Sequence, residues 1–172
     1  QASTGRAERR VICGHNIIHI MDRIATKRAV LLAARHRLES TAAELKARIE
    51  ELKAVTIGDD NADSASQTES THGGDVDLMN SLGAQYEHVL QDIDRLGIVS
   101  PEAIMESVQF GAVVHTDQRN LLIGFSLEEF EAAGKPYLGV TPKAPLVQAL
   151  YGRKAGERAL VNGIAYTVLE IC

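Results

Sequence analysis

The chain has no tryptophan, and its 172 residues include only four tyrosines and three phenylalanines. A pocket walled by aromatic rings is therefore hard to build, and a core must come mainly from aliphatic side chains. There are two cysteines, Cys13 and Cys172. They lie far apart with no metal-ligand spacing, which reads as two reduced thiols rather than a disulfide or a metal pair. The longest apolar stretches fall far short of the roughly 20 residues that span a bilayer. No secretory signal with a cleavage site is evident, so the cytoplasm is the expected compartment and no membrane partner is expected. The length allows one domain or two small ones.

A broad basic field is missing as well. The net charge is −5, but its distribution says more. Residues 1–56 carry eleven Lys/Arg and six Asp/Glu, residues 57–108 carry one and eleven, and residues 109–172 carry six of each. A nucleic-acid binder shows basic charge on its working face. Here the strongest field is acidic and central, which repels phosphate backbones and attracts metal ions or basic protein surfaces. Its focus is Ile57–Asp77, with six carboxylates, one histidine and no Lys or Arg.

The flanks of that stretch are helical in pattern. Leu31, Leu38, Leu45 and Leu52 recur every seven residues, Ile24 extends the series backwards, and helix breakers are few between Asp22 and Val55. This predicts a long helix of roughly 50 Å with a coiled-coil seam; its Lys and Arg residues read as a solvated face. Leu78, Leu82, Tyr86, Val89, Ile93 and Leu96 form one apolar stripe of a second helix from about Asp77, ended by Gly97 and Ser100-Pro101. Neither helix can hide its stripe alone, so an antiparallel hairpin is expected, with the acidic segment (about 58–76) as its tip loop. Passage of the second helix through Gly73-Gly74 would be unfavourable. Asp75 and Asp77 then serve either a functional tip or simply the N-terminal charge of a helix. Asp59 and Asp60 fit a solvated loop or a second pair of tip acids, and His72 fits a solvated loop residue.

From Ser107 the pattern changes. "SVQFGAVVHTD", "RNLLIGFS" and "KPYLGV" are strand candidates, and "APLVQALYGRKAG" is a short helix with Pro145 in its first turn and Gly152 at its end. "ERALVNGIAYTVLEI" is a hairpin through Asn162-Gly163. The sum is a small antiparallel sheet with one helix, and the whole chain is α+β.

These C-terminal pieces resemble the bacterial Gre transcript-cleavage factors. Ala144-Pro145-Leu146 stands where that family has a Ser-Pro turn-helix segment. Gly152-Arg153-Lys154-Ala155-Gly156-Glu157 stands for its Gly-Lys-Lys-x-Gly-Asp, and Leu160 to Ile171 for its last hairpin. The resemblance implies a coiled-coil hairpin (21–99) and an FKBP-like domain (100–172); residues 1–20 match nothing in the family's pattern and are set apart as a leader of uncertain origin. It implies RNA polymerase as the partner, docked through the C-terminal domain with Arg153 and Lys154 as candidate contacts, and nucleic acid met only within that complex. It implies that the hairpin enters the secondary channel and that tip acids share a Mg²⁺ with the polymerase, so the chain has no active site of its own. Gly74-Asp75 matches the family's tip Gly-Asp, but the position three beyond Asp75 is Leu78 where the family has Glu; Asp77 is the nearest carboxylate.

Three functions compete on these terms: a helper or an inhibitor of transcript cleavage, a peptidyl-prolyl isomerase disfavoured by the few aromatics, and a coiled-coil adaptor with no polymerase role. Residues 1–20 are expected to be either a leader before Met21 or an extra strand or helix over Val11–Ile20. A monomer is the default, although exposed parts of the first helix leave room for another copy.

Overall fold

The computed structural model describes the backbone of residues 5–58 and 69–172, and the side chains of residues 17–55 and 74–172. Two helices come first, α1 (Gly5–Gly58) and α2 (Glu69–Ile98). Six strands and a short helix follow: β1 (Val113–Thr116), β2 (Asn120–Ile123), β3 (Leu127–Ala132), β4 (Lys135–Val140), α3 (Pro145–Leu150), β5 (Arg158–Val161) and β6 (Ile164–Ile171). The fold is α+β, as the sequence predicts. Among the described residues no helix is long and apolar enough to cross a membrane.

The helices differ from expectation at both ends. α1 runs on from Gly5 through Val11–Ile20, so that segment is neither a separate strand nor a separate helix. α2 begins at Glu69 and passes through Gly73-Gly74, so residues 69–76 belong to a helix and not to the tip loop. Each added residue brings one backbone hydrogen bond, and two interior glycines, at about 1 kcal/mol each, do not outweigh a helix this long.

Two compact units result. α1 up to Ala34 clusters with residues 98–172, and Arg35–Gly97 forms the other unit. Within the second unit the helices are antiparallel. The chain reverses between Gly58 and Glu69, and a Cβ added at Gly97, near the far end of α2, would sit 3.4 Å from Arg35 Nη2. Leu38 and Ala42 of α1 and Leu82 and Leu96 of α2 are buried there. Asp92 is buried as well and pairs with Arg95 Nη1 at 3.1 Å.

In the first unit the sheet order is β3-β4-β2-β1-β6-β5. It is mixed rather than wholly antiparallel, because β2 and β4 pair in parallel. The cause is the β3–β4 hairpin. Ala133 and Gly134 both have positive φ, the type I′ arrangement whose twist suits a tight hairpin. β3 folds back to the edge and β4 takes the place beside β2. Val108, Val114, Leu121, Ile123, Val147, Leu150, Tyr166 and Val168 form the core between the sheet and α3. Pro145 opens α3, and Gly152, at φ 77°, closes it.

Candidate functional site

Asp75 and Asp77 lie in α2, half-buried and exposed respectively. Two residues apart on a helix, their side chains leave the axis about 200° apart at 3.6 residues per turn, so they do not converge on one ion. Among the described residues no group of three His, Cys, Asp or Glu side chains can hold a metal. A cation held by this chain alone does not fit the described residues; a single carboxylate given to an ion held elsewhere does. Asp59 and Asp60 lie outside the described residues, as does the side chain of His72.

Arg153 and Lys154 sit in the turn between α3 and β5. The Lys154 backbone N–H donates to the Glu157 carboxylate at 2.6 Å, and Arg153 Nη1 stands 4.0 Å from the same carboxylate. The Arg153 carbonyl accepts from Val108 N–H at 2.8 Å, and Gly152 N–H donates to the Val108 carbonyl at 2.8 Å. The backbone of this turn is thereby fixed while both basic side chains stay exposed.

Lys154 borders a cleft of 560 Å³ that also involves His19, Arg23, Met105, Glu106 and Glu170. α1 turns His19, Arg23 and Lys27, at every fourth position, toward residues 98–172, and the first two line the cleft. His19 Nε2 is 3.4 Å from Glu170. Arg23 donates to the carbonyls of Ile171 and Met105, at 3.0 Å from Nε and Nη2 respectively. Lys27 Nζ donates to the Ala103 carbonyl at 2.7 Å and is 1% exposed. Burial holds the Lys27 ammonium below the ordinary lysine value; the neighbouring Cys172 opposes this and Arg23 adds to it. The heptad pattern alone places Arg23 and Lys27 on a solvated face, and the structure half-buries the first and buries the second. The missed signal is that Lys27 precedes the buried Val30 and Ala34 by three and seven residues, on one stripe.

Behind the cleft a polar chain crosses the sheet. Glu170 reaches His115 Nδ1 at 3.3 Å, and His115 Nε2 lies 3.1 Å from the Tyr137 hydroxyl. Both contacts are satisfied by a neutral imidazole that donates from Nδ1 to Glu170 and accepts from Tyr137 at Nε2. Burial lowers the His115 pKa, against the opposing pull of Glu170. Burial likewise raises Tyr137 and Cys172. A raised tyrosine and a neutral, satisfied histidine suit a structural network better than a nucleophile or a proton carrier. Among the described residues no buried side-chain nitrogen or oxygen lacks a partner.

No protein-family model matches the sequence, and no curated protein sequence matches it. Solved structures similar to the chain include GreA factor homolog 1 (Gfh1) of Thermus thermophilus, at 14% identity and TM-score 0.30, covering 81% of this chain and 95% of that one. A second structure of the transcription factor Gfh1 is 15% identical at TM-score 0.33, covering 81% and 93%. Thermus aquaticus Gfh1 is 15% identical at TM-score 0.29, covering 81% and 94%. Similarity at this level assigns no residue a role.

Proposed function

We propose that the chain is a Gre-like factor that binds RNA polymerase in the cytoplasm and modulates Mg²⁺-dependent transcript cleavage through its helical pair. One observation carries this reading. The scattered pieces of the Gre-like pattern fall on consecutive elements of one unit: Ala144-Pro145-Leu146 opens α3, Gly152–Glu157 forms the turn after it, and Leu160–Ile171 builds the β5–β6 hairpin. An antiparallel helical pair with an acid-rich connection precedes them. In this reading Arg153 and Lys154 meet the polymerase, and one acid near the tip adds an oxygen ligand to an ion that the polymerase already holds. Helical spacing limits α2 to one such ligand, and exposure favours Asp77. The reaction stays the polymerase's own.

Co-purification with core polymerase tests the reading. Binding at low salt that weakens in the Arg153→Ala/Lys154→Ala variant is the expected result. Absence of binding leaves the adaptor reading in its place. RNA lengths on a backtracked elongation complex then separate a helper, which lowers the Mg²⁺ needed for cleavage, from an inhibitor, which slows both cleavage and nucleotide addition.

A further inference from the structure

α2 carries more apolar surface than α1 covers. The side turned to the helical pair holds Leu82 and Leu96, buried, with Val89 and Ile93 half-buried. Roughly a quarter turn away, Val76, Met79, Gly83, Tyr86 and Leu90 follow one another at alternating spacings of three and four, the period of a second helical stripe. Val76 and Leu90, at its ends, are 47% and 39% exposed, and Met79, Gly83 and Tyr86 between them are half-buried.

Gly83 is the centre of this second stripe. Glycine is the poorest helix former after proline, and none of the described residues requires it here: among them a Cβ added at Gly83 meets no atom within 4 Å. Open space beside a bare stretch of helix backbone admits the close approach of another backbone.

The stripe is also self-complementary about that point. Val76 and Leu90 each lie seven residues from Gly83. Met79 and Asn80 precede it by four and three residues, and Tyr86 and Glu87 follow it by three and four. A two-fold axis through Gly83 that pairs α2 antiparallel with its copy sets Val76 against Leu90 of the second copy. On one flank the Met79 thioether meets the Tyr86 ring, a favourable sulfur–aromatic contact. On the other flank the Asn80 amide reaches the Glu87 carboxylate as a donor. We propose that this face of α2 docks a second copy of the chain, as an isologous antiparallel dimer centred on Gly83. The stripe is about 21 Å long at 1.5 Å per residue. That is short of a standard interface, which makes the dimer concentration-dependent rather than permanent. The proposal does not rest on the polymerase reading.

Sedimentation equilibrium of the full chain, from about 1 to 500 μM, brackets the dissociation constants a small interface gives. A monomer–dimer equilibrium is expected. Gly83→Glu places two like charges on the axis, and Leu90→Asp puts a charge among apolar groups; each should raise Kd at least tenfold, by roughly 1.4 kcal/mol or more. Glutamate is a better helix former than glycine, so loss of the dimer in Gly83→Glu is not loss of the helix. Oxidation of Gly83→Cys should cross-link two copies, while Gln85→Cys, on another side of α2, should not exceed the parent. A parent chain that stays monomeric throughout, or a dimer unchanged in both charged variants, overturns the proposal.

Discussion

Lys27 of α1 donates a hydrogen bond to the Ala103 carbonyl at 2.7 Å from a position that is 1% exposed. Its stem is buried with the apolar side of α1 while its charge is held out of water, and these two effects oppose each other. Lys27→Met keeps the stem and removes the desolvated cation. Its stability in urea should stay within about 1 kcal/mol of the parent. Lys27→Ala removes the stem too and should cost about 2–3 kcal/mol. Equal losses in the two variants would mean that the charge, not the packing, ties α1 to residues 98–107.

His115 gives the fold a pH dependence of known sign. Its pKa lies below the ordinary imidazole value, chiefly through burial, with Lys135 lowering it further and Glu170 raising it. The fold therefore favours the neutral ring. That contribution is fully present above about pH 6.5 and is lost as pH falls toward the folded value, because the unfolded chain takes up the proton first. Urea unfolding at pH 8 and pH 5.5 should show the parent losing stability. His115→Gln should lose less over the same interval, and an identical loss in both would remove His115 as the cause.

The Asn162-Gly163 turn sets the register of β5 against β6. Both residues have positive φ, 51° and 81°, and Val161 pairs with Ile164 across the turn. Gly163→Val puts a β-branched side chain where the backbone is left-handed, and should destabilise the chain by roughly 1–2 kcal/mol. Asn162→Gly, which keeps the turn type available, should change stability by less than about 1 kcal/mol. A tolerated valine would show that the strands, not the turn, fix the register.

Local signals in the sequence reach the structure where one rule acts alone. The seven-residue leucine series, the Pro145-to-Gly152 helix and the Asn162-Gly163 hairpin each follow from short-range chemistry. β3 escapes because a bulge between Leu127 and Phe130 leaves Glu128 and Glu129 side by side and breaks the alternation that marks a strand. Its turn escapes because Ala133 adopts a positive φ that its residue type rarely takes. The parallel β2–β4 pair follows from that turn and is equally hidden. The cleft is legible only in part. Lys154 carries a motif, whereas His19, Arg23 and Lys27 acquire their roles from partners about 75 to 150 positions away.

The two acids of α2 should differ in their effect on the polymerase. Asp77 is exposed and Asp75 half-buried, and helical geometry sends them to different sides. Asn keeps the shape and one acceptor oxygen but loses the charge that makes a carboxylate a good ligand for a hard cation. Asp77→Asn should therefore reduce the effect on transcript cleavage at least about tenfold, the size of one lost charged ligand contact at roughly 1.4 kcal/mol. Asp75→Asn should change it less than about twofold. Affinity for polymerase should be retained in both, since the proposed contacts, Arg153 and Lys154, lie in the other unit. The fold should survive as well, because both acids lie beyond the first turn of α2, where the helix dipole has little left to offer a negative charge. Cleavage on a backtracked complex, titrated with Mg²⁺, measures the outcome. If Asp75→Asn is the damaging change, the face of α2 presented to the ion is the other one. If neither variant differs from the parent, α2 supplies no ligand, and the Asp59→Asn/Asp60→Asn variant decides whether the connection before it does. Loss of function in that variant would move the tip to residues 59–60, and full function would reduce the acidic segment to a linker.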